Sequence, residues 1–117
     1  MAGIKNWKVD QSTHFRFTII YKDSAGNPIN LAQFSQIRMD VKSAPGSKKV
    51  LATSDLSDGI SVVPSQGRID VTFSPEKTKV MSYPKSAYDL VLVDGNNIQT
   101  RILEGWLEIS RAVTVID

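Results

Sequence analysis

Apolar and polar side chains alternate with a period of two residues along much of the chain, a pattern that predicts β-strands with one buried and one solvated face. The segment RIDVTFS shows it most plainly, because Ile69, Val71 and Phe73 share one face and the residues between them are polar or charged. The segments SQIRMDVKS and THFRFTIIY follow the same rule. In these two segments the side chains predicted to face inward are Ile37, Met39, Val41, Phe15, Phe17, Ile19 and Tyr21.

Two other segments predict strands in different surroundings. AYDLVLVD places Leu90 and Leu92 on one face and Val91 and Val93 on the other, so we expect a central strand covered on both faces. IQTRILEGWLEIS is longer than most strands and carries Gly105 near its middle. We therefore expect a bulge or a bend at that glycine.

Clusters of turn-forming residues separate these strands. They are KDSAGNPIN, APGSKK, SDG and the hairpin DGNN at Asp94–Asn97. A single helix is predicted over Pro75–Met81, where Ser74 is a suitable N-cap. Pro75 suits the first helical position, and Pro84 prevents the helix from continuing.

Short strands at short spacing predict an all-β fold: an antiparallel β-sandwich, immunoglobulin-like in architecture, with one short helical crossover near residues 75–81. An up-and-down barrel is the alternative. The 117 residues are enough for one hydrophobic core but not for two domains. We expect a single domain over residues 1–117, with residues 1–10 and 112–117 as extensions. Tyr88 is expected in the core, and a tyrosine-corner contact is its alternative role.

Composition excludes several kinds of chemistry. The chain has no cysteine, which rules out disulfides, thiolate metal sites and a cysteine nucleophile. Its net charge is only +2, without a basic stripe, so nucleic acid is not an expected partner. Neither an apolar signal-peptide core nor a run of about 18 apolar residues is present, so we expect cytoplasmic synthesis and no membrane partner.

Catalytic and metal-binding patterns are missing from the sequence. None of the motifs GxGxxG, GxxxxGK[ST], HExxH and GxSxG occurs. A Ser-His-Asp triad would have to use His14, which alternation places on the polar face of a strand, so we expect a solvated histidine. Asp and Asn residues in three loops match calcium ligands only in type, and turn formation explains them. We therefore expect no enzyme, no cofactor and no metal.

Glu104, Trp106 and Glu108 form the first candidate site. They recur at every second residue, so they share one face of the last strand unless a bulge intervenes. A tryptophan between two carboxylates is suited to stacking on a sugar, with the acids accepting hydroxyl hydrogen bonds. The simpler interpretation is a core or interface tryptophan with solubilising glutamates. Glycoside hydrolysis is not expected, because residues two apart on one strand cannot flank a glycosidic bond.

Apolar side chains near the two ends of the chain form the second candidate. Trp7 lies in a polar segment, and the segment AVTVI has no obvious place in a seven-strand core. The candidate residues in that second segment are Val113, Val115 and Ile116. Exposed apolar segments usually indicate a partner, so we expect self-association through them.

Three segments together resemble a family of small proteins encoded in the tail regions of bacteriophages and prophages. They are NPINLAQFSQIRMDVKSAPGSKKVL, GRIDVTFSPEKTKVMS, and AYDLVLVDGNNIQTRILEGWLEIS followed by RAVT, and they cover most of the chain from Asn27 to Thr114. The last segment is the most specific, with a YDL strand, a polar hairpin and a second strand entering RILEG. Members of this family are immunoglobulin-like or related β-sandwich domains of virion attachments.

The resemblance implies a non-enzymatic structural protein of a tail, baseplate or fibre assembly. Such a protein is assembled in the host cytoplasm and resides in the virion, where it docks on other virion proteins and on further copies of itself. Two alternatives remain open. One is a carbohydrate- or receptor-binding module centred on Trp106, Glu104, Glu108 and the hairpin at Asp94–Asn97. The other is a capsid decoration protein, which docks on heads.

Overall fold

Two β-sheets packed face to face form the protein, as a computed structural model that describes residues 3–113 shows. The described residues contain nine strands, one α-helix and two short 3-10 turns. The strands are β1 (Gly3–Ile4), β2 (Trp7–Asp10), β3 (Phe15–Ile20), β4 (Phe34–Lys42), β5 (Val50–Asp55), β6 (Ile60–Val63), β7 (Arg68–Phe73), β8 (Lys85–Asp94) and β9 (Gln99–Ser110). The helix α1 spans Pro75–Lys79, and the 3-10 turns span Leu31–Gln33 and Pro64–Gln66.

The strand order identifies an immunoglobulin-like sandwich. The larger sheet runs β5-β4-β8-β9, with β1 and β2 both on the far side of β9, and the smaller sheet runs β3-β7-β6. With β3, β4, β7, β8 and β9 as immunoglobulin strands B, C, E, F and G, the B and E strands lie in one sheet and C, F and G in the other. The sandwich prediction is thereby confirmed, and the barrel alternative is wrong. One correction is needed: β1 and β2 run parallel to β9, whereas every other pairing within the two sheets is antiparallel.

The core lies between the sheets and is made by the predicted alternation. The inward side chains of β4 and β7 are buried, as are Phe15 and Phe17 of β3. Burial weakens toward the end of β3, where Ile19 is half-buried and Ile20 is 45% exposed. The central position of β8, between β4 and β9, is also confirmed.

The outer face of β8 is less covered than predicted. Leu90 and Leu92 are fully buried between the sheets, but Val91 and Val93 on the opposite face are only half-buried. The reason is that no third layer packs on this face in the described part of the chain. It is open to solvent and carries polar side chains on the neighbouring strands.

The predicted helix exists but is shorter than expected, since α1 ends at Lys79 rather than Met81. Its first turn is held by the backbone carbonyl of Ser74, which accepts hydrogen bonds from the N–H groups of Lys77 and Thr78 at 3.0 Å. The Ser74 side chain makes no capping bond. The buried hydroxyl of Thr78 donates to the carbonyl of Thr13 at 2.8 Å, which ties α1 to the loop between β2 and β3.

Residues 3–10, which we call the N-terminal segment, form the outermost strand on β9 instead of a separate extension. Gly3 pairs with Leu103 and Asp10 with Ser110, in one unbroken register that spans β1 and β2. The other predicted extension, residues 112–117, is described only as far as Val113.

Gly105 lies where the N-terminal segment approaches β9, and it does not form a bulge. The bulge of β9 falls instead near Ile102, between the Leu90–Leu103 and Val91–Arg101 pairs, so the predicted position is wrong. At Gly105 a Cβ atom would lie 2.1 Å from the Lys5 carbonyl oxygen. The missing side chain is therefore what allows the N-terminal segment to approach β9.

Candidate functional site

The outer face of the larger sheet is the surface on which the first candidate residues meet. Glu104, Trp106 and Glu108 share this face as predicted, because the bulge of β9 precedes all three. Their partners on β8 are Asp89, Ala87 and Lys85, in that order. The hairpin loop at residues 44–46 borders the same surface, which forms a shallow trough across β4, β8 and β9.

Ion pairs run across the trough. The guanidinium of Arg101 bonds Asp89 at 3.2 Å and Glu104 at 2.9 Å, and Arg38 bonds Asp40 at 2.7 Å. These hydrogen bonds raise the pKa of both arginines, whose charge is permanent in any case. Because all five side chains are partly exposed, each pair contributes little to stability. The network instead fixes the position of neighbouring positive and negative groups on a stiff sheet.

Trp106 lies half-buried among these charges. The ammonium of Lys85 is 4.2 Å from the centroid of its ring, within the range of a cation–π contact. Its backbone N–H donates to the side-chain oxygen of Asn6 at 2.9 Å, so the N-terminal segment borders the site. An aromatic surface with planar polar neighbours is suited to contact with either a sugar or a protein side chain.

Trp7 is not on this face, which corrects the expectation that it has no place in the core. Trp7 and Val9 share the inner face of β2, because the N-terminal segment is a strand of the sheet. The Trp7 ring stacks on Phe17 with centroids 4.6 Å apart and meets Phe15 edge-on at 6.1 Å. Its indole N–H donates to the hydroxyl of Tyr88 at 3.0 Å.

Tyr88 joins the core to the N-terminal segment. It pairs with Gly105 across β8 and β9, and its hydroxyl donates to the carbonyl of Lys5. That carbonyl lies in the space that a side chain at position 105 would fill. This contact joins elements 83 positions apart in sequence, so it is not a tyrosine corner. Burial raises the pKa of Tyr88, and the hydrogen bond from Trp7 opposes that rise.

The segments that follow α1 and β9 meet where Arg111 contacts Tyr83, and we call their residues the exit-end patch: Val80, Tyr83, Arg111 and Val113. Val80 and Tyr83 follow α1 in one loop and are 53% and 51% exposed. The guanidinium of Arg111 lies 3.9 Å from the ring centroid of Tyr83, and Val113, two residues further on, is fully exposed. Val115 and Ile116, the other two predicted interface residues, lie outside the described residues.

The aspartates of the three loops act in their own turns. One carboxylate oxygen of Asp23, Asp55 and Asp94 accepts two backbone N–H groups of the following residues, at 2.8 to 3.0 Å. At Asp55 the hydroxyl of Ser57 adds a third bond and lowers the pKa of the carboxyl group. Turn formation is therefore the role that the structure gives them.

Away from the trough, the ion pairs of the described residues are isolated ones: Arg68 with Asp70 at 3.1 Å and Lys77 with Asp58 at 3.0 Å. His14 is exposed, as predicted. On the smaller sheet, the hydroxyl of Thr18 donates to Asp70 and lowers the pKa of that carboxyl group, with Arg68 as a second partner. Within residues 3–113, no three His, Asp or Glu side chains gather as ligands for a metal ion.

Two contacts of the site were not predicted. Sequence analysis missed the Tyr88 contact with Lys5 because nothing in the sequence shows that the N-terminal segment lies on β9. The ion pairs of Arg101 were not predicted either, although the outward positions of its partners Asp89 and Glu104 follow from alternation in β8 and β9.

Among the described residues, no helix has the length and apolar character needed to cross a bilayer. A scan against models of protein families gives no match for this chain, and a search of curated proteins gives none either.

Proposed function

We propose that this protein is a non-enzymatic structural component of a bacteriophage virion, in the tail, baseplate or fibre assembly, and that it acts by docking on other virion proteins and on copies of itself. The observation that carries the docking role is the exit-end patch. It exposes the apolar side chains of Val80 and Tyr83 in the loop after α1, and that of Val113 two residues after Arg111, which contacts Tyr83. Apolar side chains that gather in one exposed patch typically mark a contact with another protein.

The architecture supports a role based on shape. A sandwich with an apolar core and no cysteine has a stability that does not depend on disulfides or on the redox compartment. The resemblance of the sequence to phage tail proteins supplies the kind of assembly. Its partners would then be proteins presented at fixed positions by a larger particle.

Location is tested by electron microscopy of particles released from a bacterium that carries this gene. The chain is fused to a small tag on the exposed hairpin at Asp94–Asn97, and the tag is labelled with gold. We expect gold at the tail or baseplate. Gold on the head would instead indicate a capsid decoration protein, and particles that lack the chain altogether would refute the virion role.

The docking surface is tested by incorporation into those particles. Tyr83→Ser and Val80→Ser remove apolar surface from the exit-end patch, whereas Ile98→Ser removes it from the 59% exposed Ile98 in the hairpin between β8 and β9. We expect the first two variants to be incorporated at least several-fold less than the wild type, and Ile98→Ser to be incorporated normally. Equal incorporation of all three would show that the exit-end patch is not the docking surface.

A carbohydrate- or receptor-binding module is the second candidate, and the trough around Trp106 favours it. The half-buried indole shares the trough with Asp89, Glu104 and Arg101. Their planar carboxylate and guanidinium groups can accept hydrogen bonds from hydroxyl groups or donate to them. The ammonium of Lys85 occupies part of the ring and would have to move for a sugar to stack. This candidate predicts binding on a glycan array that Trp106→Ala abolishes and Trp106→Phe retains in part, with Val80→Ser, outside the trough and the hairpin, as the control.

A further inference from the structure

The N-terminal segment is held by a slot that any copy of the same segment would fit. On one side, Trp7 stacks on Phe17 and Val9 is fully buried. At its centre, the space left by Gly105 receives the carbonyl of Lys5. The partners of the segment's inward side chains therefore all lie in the rest of the sandwich. One short loop, between β2 and β3, connects the segment to it.

That loop is strained. It turns between Asp10 and Thr13, whose N–H donates to the Asp10 carbonyl at 3.3 Å, and it places Ser12 at φ 65°. A turn with a positive φ at its third residue normally has glycine there, because a side chain in this conformation meets the following carbonyl. The strain is removed if the loop straightens.

Straightening the loop would move the N-terminal segment away from its own β9. The inward side chains Val9 and Trp7 of the segment would then be exposed to solvent. In the slot, Phe17 would be exposed and the hydroxyl of Tyr88 would lose its acceptor, the Lys5 carbonyl. A second copy with its loop also straightened can fill the empty slot with its own N-terminal segment and can accept the exposed segment in its own slot. Exchange of an identical element between copies keeps every contact of the closed form and changes only the loop.

We infer that two copies of this chain exchange their N-terminal segments, each laying residues 3–10 along β9 of the other. Strain in a short hinge favours such exchange, and each dimer relieves it twice. Four hydrogen bonds oppose opening of the hinge. The N–H and the hydroxyl of Thr13 both donate to the carbonyl of Asp10, at 3.3 and 2.7 Å. The side chain of Gln11 donates to the carbonyl of Lys79 at 3.0 Å, and Thr78 donates to the carbonyl of Thr13 at 2.8 Å. We therefore expect slow exchange and a dimer fraction that rises with concentration. The inference deepens the self-association part of the proposed function.

A disulfide between copies tests the exchange directly, since the chain has no cysteine of its own. Lys8 and Glu108 pair across β2 and β9, and both are exposed. Adjacent strands lie about 4.8 Å apart, within reach of a disulfide. Lys8→Cys and Glu108→Cys proteins, differing in a tag, are mixed at high concentration, partly unfolded, refolded and oxidised.

We expect a covalent dimer that joins one Lys8→Cys chain to one Glu108→Cys chain. The control mixes Lys8→Cys with Arg101→Cys, which lies on β9 but seven positions from Glu108, and should give far less mixed dimer. A contact through any other surface does not bring residue 8 of one copy into register with residue 108 of another. Equal yields from both mixtures, or no mixed dimer, would overturn the inference provided that circular dichroism shows all variants folded.

The hinge provides a second, quantitative test. Ser12→Gly removes the steric cost of φ 65° in the closed form only, and that cost is about a factor of 5 to 30 per hinge. Because a dimer opens two hinges, the dissociation constant measured by sedimentation should rise at least roughly thirtyfold. An unchanged constant would mean that the dimer does not open the hinge. Detection of the chain in particles is independent of this result, so the virion role and the exchange can fail separately.

Discussion

Replacing Gly105 by alanine should detach the N-terminal segment. The new Cβ would lie 2.1 Å from the carbonyl oxygen of Lys5 and 2.8 Å from the side-chain oxygen of Asn6, both far inside van der Waals contact. The segment must move, because β9 is held by β8 on its other side. Three hydrogen bonds are lost at that point: Lys5 N–H to Glu104 at 3.0 Å, Trp106 N–H to Asn6 at 2.9 Å, and the Tyr88 hydroxyl to Lys5.

The size of the effect follows from these contacts. At about 1 kcal/mol net for each hydrogen bond, a local displacement lowers the free energy of unfolding by about 3 kcal/mol. If the whole segment leaves, burial of Val9 is lost as well, which adds about 2 kcal/mol. Urea unfolding at equilibrium measures the total, and hydrogen exchange of the amides in residues 3–10 shows where it arises.

Gly95→Ala is the matched control, because no atom lies within 4 Å of a Cβ at Gly95. We expect that variant to stay within about 0.5 kcal/mol of the wild type. The reasoning is refuted if both alanine variants unfold at the same urea concentration, or if Gly105→Ala is destabilised while residues 3–10 keep their protection from exchange.

Three further predictions concern burial and charge. Leu90→Ala should lower the free energy of unfolding by about 3 kcal/mol and Val91→Ala, on the outer face of β8, by about 1 kcal/mol, as measured by urea unfolding. Because burial raises the pKa of Tyr88, its contribution is present below about pH 10 and lost as pH rises through the folded pKa; Tyr88→Phe should remove this loss, unlike the exposed control Tyr83→Phe. A hydroxyl hydrogen bond lowers the pKa of Asp70, so its contribution is present above about pH 4 and lost as pH falls through the folded pKa; thermal unfolding should show wild type and Asp70→Asn converging there.

The sandwich could be predicted because most of its strands bury only one face, and such strands show alternating apolar and polar residues in the sequence. Ile37, Met39 and Val41 alternate with polar residues, and the structure buries all three. The same logic placed Glu104 and Trp106 on one face. Pairing between distant strands leaves no such mark, since the backbone N–H and C=O groups that an exposed edge presents are the same in almost every sequence.

The contacts around Trp7 illustrate what could not be predicted. A tryptophan among Lys5, Asn6 and Lys8 has the pattern of an exposed segment, and only the parallel pairing with β9 reveals that its side chain faces inward. Gly105 stands out within the segment IQTRILEGWLEIS, but a glycine in a strand is compatible with a bulge, a bend or the close approach of another backbone. The third explanation applies here, and it depends on a segment about 100 positions away.

The pairing of β2 with β9 also sets the order of events during synthesis. Each residue of β2 pairs with the residue 100 positions later, as Trp7 does with Leu107. At a translation rate of about 5 to 20 residues per second, the ribosome needs roughly 5 to 20 s to supply that partner. Throughout this interval the inward side chains Trp7 and Val9 belong to a strand that has no β9 of its own chain to pair with, while other chains on the same messenger are close by. The N-terminal segment is thus made before the other described strands but is the last of them to pair.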